Sequence, residues 1–176
     1  MTSKRFESLL HLTSGGLRIR CHGDFPLNRA LWTGKDFVLV DFGGGNDRAL
    51  SERRRKRSPL RDVASMMLSF HYAAETALLE GAVREADVPV AEPWAQVWYS
   101  WVSAIYVHGY LDTAREAAFL PSDPESLAMQ LERFVLARAF RMLGWELNTP
   151  SERVAIPLRV ITRMMSVPRE SQLPRA

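Results

Sequence analysis

The sequence has one cysteine, Cys21, in 176 residues. A single thiol rules out an internal disulfide framework and a multi-cysteine zinc site. No apolar run approaches the roughly 20 residues a membrane helix needs. The basic start, MTSKRFESLLHLTSGG, holds only the short apolar pieces Leu9-Leu10 and Leu12, too little for a signal-peptide core. These absences predict a cytoplasmic chain with no membrane span. Repeats, low-complexity tracts and convincing internal linkers are also missing. A chain that is 47% hydrophobic and 24% charged has the balance of a folded domain with one core.

Net charge is small, +3, but unevenly spread, because SERRRKRSPLR at 51–61 carries six basic residues against one acid. No interleaved aromatics and no DNA-binding motif surround this run, so a solvated loop leading into a helix ranks above nucleic-acid binding.

The first third reads as β-rich. Residues 17–21, LRIRC, alternate apolar and polar, FVLV at 37–40 is a short apolar run after the turn TGKD, and Ala30-Leu31-Trp32 suggests a strand between them. Helical periodicity then takes over. Ser58-Pro59 reads as an N-cap and first-turn proline before Val63, Met66, Met67, Phe70, Ala74, Ala77 and Leu78, with Gly81 as the stop. A second helix is expected after Pro93, running towards Ala118, with Trp94, Val97, Trp98, Trp101 and Ile105 as its core stripe. Ser122-Asp123-Pro124-Glu125 opens a third, with Leu127, Leu131, Phe134, Val135 and Met142 inward, and a fourth starts near Pro157 with Leu158, Ile161 and Met165 inward. The expected fold is therefore α+β and α-rich: a small β-hairpin region, then a bundle of about four helices. Residues 1–16 read as a short helix (Phe6 to Leu12) and lead-in, 17–166 as the main unit, and 167–176 as a frayed tail.

Chemistry concentrates in CHGDFPLNRALWTGKDFVLVDFGGG, residues 21–45, which sets His-Gly-Asp before a strand-turn-strand and Asp-Phe-Gly after it. Phosphoryl transfer asks for a carboxylate that orients and deprotonates the attacking hydroxyl, ligands for Mg²⁺, and cations on the phosphates. Asp24, expected just past one strand, and Asp41, expected at the end of the next, have the residue type for the first two roles. The competing reading of each is a turn aspartate bonded to its own backbone. Gly43-Gly44-Gly45 lacks the following helix and lysine of a phosphate loop. His108 and Asp112, four apart, are two ligands at most and read as ordinary polar residues, and nothing marks Cys21 as an activated thiol.

The segments LRIRCHGDF, LWTGKDFVLVDF, LSERRRKRSPLRDVASMMLSFHYAA, FLP-x-DPE and WELNTP-x6-IPLR together resemble the C-terminal lobe of bacterial maltokinases, stand-alone or fused to trehalose synthase, from about Leu17 to Met165. These belong to the aminoglycoside-phosphotransferase-like kinases, of protein-kinase-like fold, and make maltose 1-phosphate from maltose and ATP in trehalose and maltose metabolism. The resemblance implies Asp24 as catalytic base, Asp41 as Mg²⁺ ligand, His22 and Gly23 as shapers of the catalytic loop, and Asp62 as its brace. It further implies Mg²⁺ and ATP as cofactors, maltose as substrate, and the aromatic-rich helix around Trp94, Trp98 and Trp101 as scaffold on the sugar side.

Departures from the family pattern are specific. The family's His-Gly-Asp-Tyr-His-Leu-Gly-Gln is HGDFPLNR here, so Arg29 stands where a glutamine helps hold the metal. Arginine offers no lone pair, and at about 4 Å from a divalent ion it meets repulsion on the order of several kcal/mol. Either Arg29 swings out or that metal position is lost; Asn28 substitutes only if the loop shifts register. The family's Asp-Phe-Glu-Gly-Glu is DFGGG, which lacks both glutamates, at Gly43 and Gly45. The nucleotide-covering N-terminal lobe has no counterpart in residues 1–16. The expectation is a maltokinase-like C-lobe, inactive alone, that a chain bearing the N-lobe, or trehalose synthase, would have to complement. The alternatives are a non-catalytic sugar- or protein-binding module and, last, a nucleic-acid binder acting through Arg53 to Arg57.

Overall fold

The computed structural model describes residues 16–44, 49–149 and 152–166. Among them are a two-stranded antiparallel sheet and five α-helices: β1 (Ala30–Trp32), β2 (Phe37–Leu39), α1 (Leu50–Arg53), α2 (Leu60–Leu79), α3 (Val88–Thr113), α4 (Pro124–Leu147) and α5 (Ala155–Ser166). Single turns of 3₁₀ helix occur at Leu27–Arg29, Glu85–Asp87 and Glu152–Val154. This is an α-rich α+β chain. The helix expected from Phe6 to Leu12, the tail from 167 onwards and Gly45 lie outside the described residues. No described helix is long and apolar enough to cross a membrane.

The chain divides into two compact units, one drawn from 3–66 and 114–135, the other from 67–113 and 136–176. In the first, Leu60, Val63, Ala64, Met66, Leu131 and Val135 are buried, and the Arg61 guanidinium lies over the Phe134 ring at 5.9 Å. Ala30, Leu31 and Trp32 pair with Leu39, Val38 and Phe37, and the Thr33–Asp36 turn closes through Thr33 N–H to the Asp36 carbonyl at 2.9 Å, with Gly34 at φ 90°. Such a φ is cheap only for glycine. The large side chains of both strands, from Leu31 and Trp32 to Phe37, Val38 and Leu39, are exposed.

Residues 17–21 do not form the expected strand. Ile19 makes a lone antiparallel bridge with Arg57, and Leu17 N–H donates to the Ala118 carbonyl at 3.0 Å. The alternation correctly signals extended backbone, but only one residue of the basic loop comes alongside to pair with it. Helix α2 starts at Leu60, and Ser58 does not act as its cap: its buried hydroxyl has no partner among the described residues. Asp123 does cap α4, its Oδ2 accepting from Ser126 N–H at 2.7 Å, and the Ser126 hydroxyl, then that amide, hold its carboxyl below the usual range.

The second unit overturns the expected inward face of α3. Trp94 is 70% and Trp101 67% exposed, and Val97, Trp98 and Ile105 are exposed with them. The opposite face turns inward instead: Gln96 bonds Glu75, Tyr99 meets His71 edge-on at 5.1 Å, Tyr106 meets Phe70 at 5.6 Å, and Ser103 is buried. Residues 93–111 include no Asp, Glu, Lys or Arg, so apolar period alone could not choose between two uncharged faces. The helix also begins before Pro93, at Val88, and takes that proline into its interior. It ends at Thr113, short of Ala118. In α5, Ile156, Pro157 and Val160 are buried while Leu158 faces solvent.

A polar cluster ties α2, α3 and α5 together. Glu75, 1% exposed, accepts from Gln96 Nε2 at 2.9 Å and from Arg159 Nη1 at 2.8 Å. Arg159 also reaches Glu92 at 2.7 Å, Arg163 donates to Gln96 Oε1, and His71 Nε2 lies 3.9 Å from Glu75.

Candidate functional site

The residues singled out in the first unit converge on the loop between Cys21 and Arg29 and on the end of β2. His22 is buried between the rings of Phe25 and Phe42, at 5.0 and 4.9 Å, and its Nε2 donates to the Val40 carbonyl at 2.7 Å. A carbonyl can only accept, so Nε2 carries the proton. This one bond sets the segment bearing Asp24, two residues after His22, beside the segment bearing Asp41, one residue after Val40. Asp24 is half-buried there.

Asp62, on the first turn of α2, accepts from Gly23 N–H with both carboxylate oxygens, at 3.0 and 3.1 Å. Burial pushes its carboxyl above the usual range, and the Gly23 N–H works against that shift. The contact has the form of a loop brace: a carboxylate on a rigid helix fixing the amide just before Asp24. Gly23 has φ 88°, and a Cβ there would come within 3.4 Å of the Gly44 Cα, so the two loop backbones lie close together.

Asp41 is the one non-glycine residue at positive φ among the described residues, at 62°. Aspartate tolerates this left-handed conformation better than most residues. Its Oδ2 accepts from Arg29 Nη1. Arg29 therefore does not swing away from the position its sequence place implies. Asn28 is exposed on the 3₁₀ turn.

The side chains present do not fit a Mg²⁺ ion as they are arranged. The expected ligand Asp41 is engaged by a fixed cation, and no three His, Cys, Asp or Glu groups converge to hold a metal among the described residues. A guanidinium occupying the carboxylate supplies positive charge without an open coordination position.

Cys21 donates to the Arg57 carbonyl at 3.3 Å, and its thiol is pushed up to about 11, first by burial and then by Asp62, so it is no nucleophile at neutral pH. In the second unit His108 and Asp112 form an exposed pair at 2.9 Å, a surface contact joined by no third metal-ligating group among the described residues. Sequence reasoning did not foresee the His22–Val40 bond; the signal available was a histidine between two aromatic neighbours in a loop. No protein-family model matches the chain.

Proposed function

We propose that the chain is the helical C-terminal lobe of a maltokinase-like phosphotransferase, in which transfer from ATP to maltose has lapsed. The observation that carries the second half is the Arg29–Asp41 ion pair, set in a loop still held by His22 on Val40 and Asp62 on Gly23. The loop-holding contacts are those a phosphotransferase would need to present Asp24 as a base. The charge that should come from a divalent ion comes from the chain itself. The resemblance of residues 17–165 supports the family, and with it ATP, maltose and a partner bearing a nucleotide-covering lobe, or trehalose synthase, as the proposed setting.

The test is to incubate the purified chain with ATP, Mg²⁺ and maltose and assay maltose 1-phosphate. None is expected. Sustained turnover would refute the lapse while keeping the family; turnover only with a different acceptor would reassign the substrate class.

A second reading, a non-catalytic sugar- or protein-binding module, is favoured by the uncovered apolar side chains of β1–β2 and, separately, of α3. Nucleic-acid binding through the basic loop ranks below both. Arg57 is paired with Glu52 at 2.8 Å and Arg53 donates to the Gly43 carbonyl, so part of the run is already spent on the chain's own contacts.

A further inference from the structure

The face of α3 that turns away from Glu75 and His71 is apolar from Val90 to Ile105. Val90, Trp94, Val97, Trp98, Trp101 and Ile105 are all exposed, and at 3.6 residues per turn they fall within one arc of about 100°, a stripe roughly 22 Å long. All six belong to the second unit. Taking about 250 Å² for a whole tryptophan, exposures of 70%, 45% and 67% at Trp94, Trp98 and Trp101 leave roughly 450 Å² of indole surface in water. The two valines and Ile105 enlarge it further. A monomer's largest apolar patch is ordinarily about 300–600 Å², whereas each partner of a stable interface contributes roughly 800 Å². The α3 stripe lies between the two, with most of an interface already in place.

Charge decides what covers it. Residues 93–111 hold no Lys or Arg to meet anionic lipid headgroups, and no Asp or Glu to meet a basic partner. The charged groups stand at the two ends instead: Arg84 pairs with Asp87 at 2.7 Å before the stripe, and His108 with Asp112 at 2.9 Å after it. We propose that α3 packs antiparallel against the α3 of a second copy of this chain, across a two-fold axis between Val97 and Trp98. That register sets Trp94 of each copy beside Trp101 of the other, and Val90 beside Ile105. Each charged pair stands about 20 Å along the helix from the axis, so Arg84 of one copy meets Asp112 of the other and Asp87 meets His108. A parallel pairing would instead bring Asp112 against Asp112 and align the two helix dipoles, which the antiparallel one opposes. The surface is thus complementary to itself, as an isologous interface requires. The pairing uses no residue of the 21–45 segment, so it holds whether or not the chain transfers phosphate.

The experiment is sedimentation equilibrium of the full chain at low ionic strength. A dimer is expected at about 50 µM, because interfaces of this size hold at micromolar to picomolar concentrations. Trp94→Glu and Trp101→Glu, both at exposed positions, should each raise the dissociation constant more than about thirtyfold. Trp32→Ser, on the exposed face of the β1–β2 hairpin, should leave it unchanged. Arg84→Glu and Asp112→Arg should each weaken pairing about fivefold, and the double variant, which restores opposite charges across the axis, should regain the wild-type value. Far-ultraviolet circular dichroism of each variant separates lost pairing from lost fold. A wild-type chain that stays monomeric at that concentration overturns the proposal, and binding of the monomer to phosphatidylcholine vesicles would assign the stripe to lipid instead. It is equally overturned if the two tryptophan variants dimerise like wild type, if Trp32→Ser dissociates the dimer, or if the charge-swapped double variant fails to recover.

Discussion

Arg159→Ala is expected to lower the unfolding free energy by about 2–3 kcal/mol in urea denaturation. Truncating one partner of a fully buried ion pair costs roughly 3–5 kcal/mol, because the other charge is left without compensation. Glu75 meets that description at 1% exposure, but Arg159 is 47% exposed and Gln96 still donates to the carboxylate after the change, so the expected loss falls at or below the bottom of that range. An exposed pair would contribute only about 0.2–1 kcal/mol. The double variant Glu75→Leu/Arg159→Leu should recover much of the loss, since removing both charges also removes the desolvation cost. A loss under about 0.5 kcal/mol for Arg159→Ala, in the range of an exposed pair, would mean that Glu75 is not buried as described.

Acidification should destabilise the same region. Burial, then the Arg163 guanidinium and more weakly Arg159, hold the His71 imidazole down to about 4 from 6.5. The unfolded chain takes up this proton near pH 6.5 and the folded chain only near 4. His71 therefore contributes its full stability above about pH 6.5, and that contribution, about 3 kcal/mol, is lost as pH falls through the window to 4. Asp62 acts with the opposite sign: its raised carboxyl pKa makes the folded state gain relative stability as pH falls below its folded value. Comparing wild type with His71→Phe at each pH cancels the Asp62 contribution. The difference in unfolding free energy between the two proteins should change by about 3 kcal/mol between pH 7 and pH 4; identical slopes would show that His71 is not held neutral.

Local signals carried the helices, and long-range partners decided the rest. Asp123-Pro124 announced α4 because a cap and a first-turn proline act within one turn, and the Val63–Leu78 stripe announced α2 because its inward face is apolar in a mostly polar surround. The α3 stripe misled because its true inward face is built from Gln96, Tyr99, Ser103 and Tyr106, whose reasons for facing inward are Glu75, His71 and Phe70, some 20 to 40 residues away in sequence. No window on α3 contains those residues. The LRIRC segment failed as a strand for a similar reason, since pairing depends on which residues of the basic loop come alongside. In the site, the residue types were legible: a repelling arginine at 29 and a carboxylate at 41. The left-handed turn that delivers Asp41 to Arg29, and the imidazole that anchors it through Val40, depend on backbone conformation that the sequence pattern does not encode.

The most direct measurement is a titration of Mn²⁺, standing in for Mg²⁺, followed by the loss of its free-ion electron paramagnetic resonance signal. If Arg29 takes the place of the divalent cation on Asp41, the wild-type chain leaves the ion free, and Arg29→Gln, which removes the fixed charge and offers an amide oxygen, gains a site that Asp41→Asn abolishes. Binding of Mn²⁺ by the wild-type chain, lost in Asp41→Asn and unchanged in Arg29→Gln, would contradict the account.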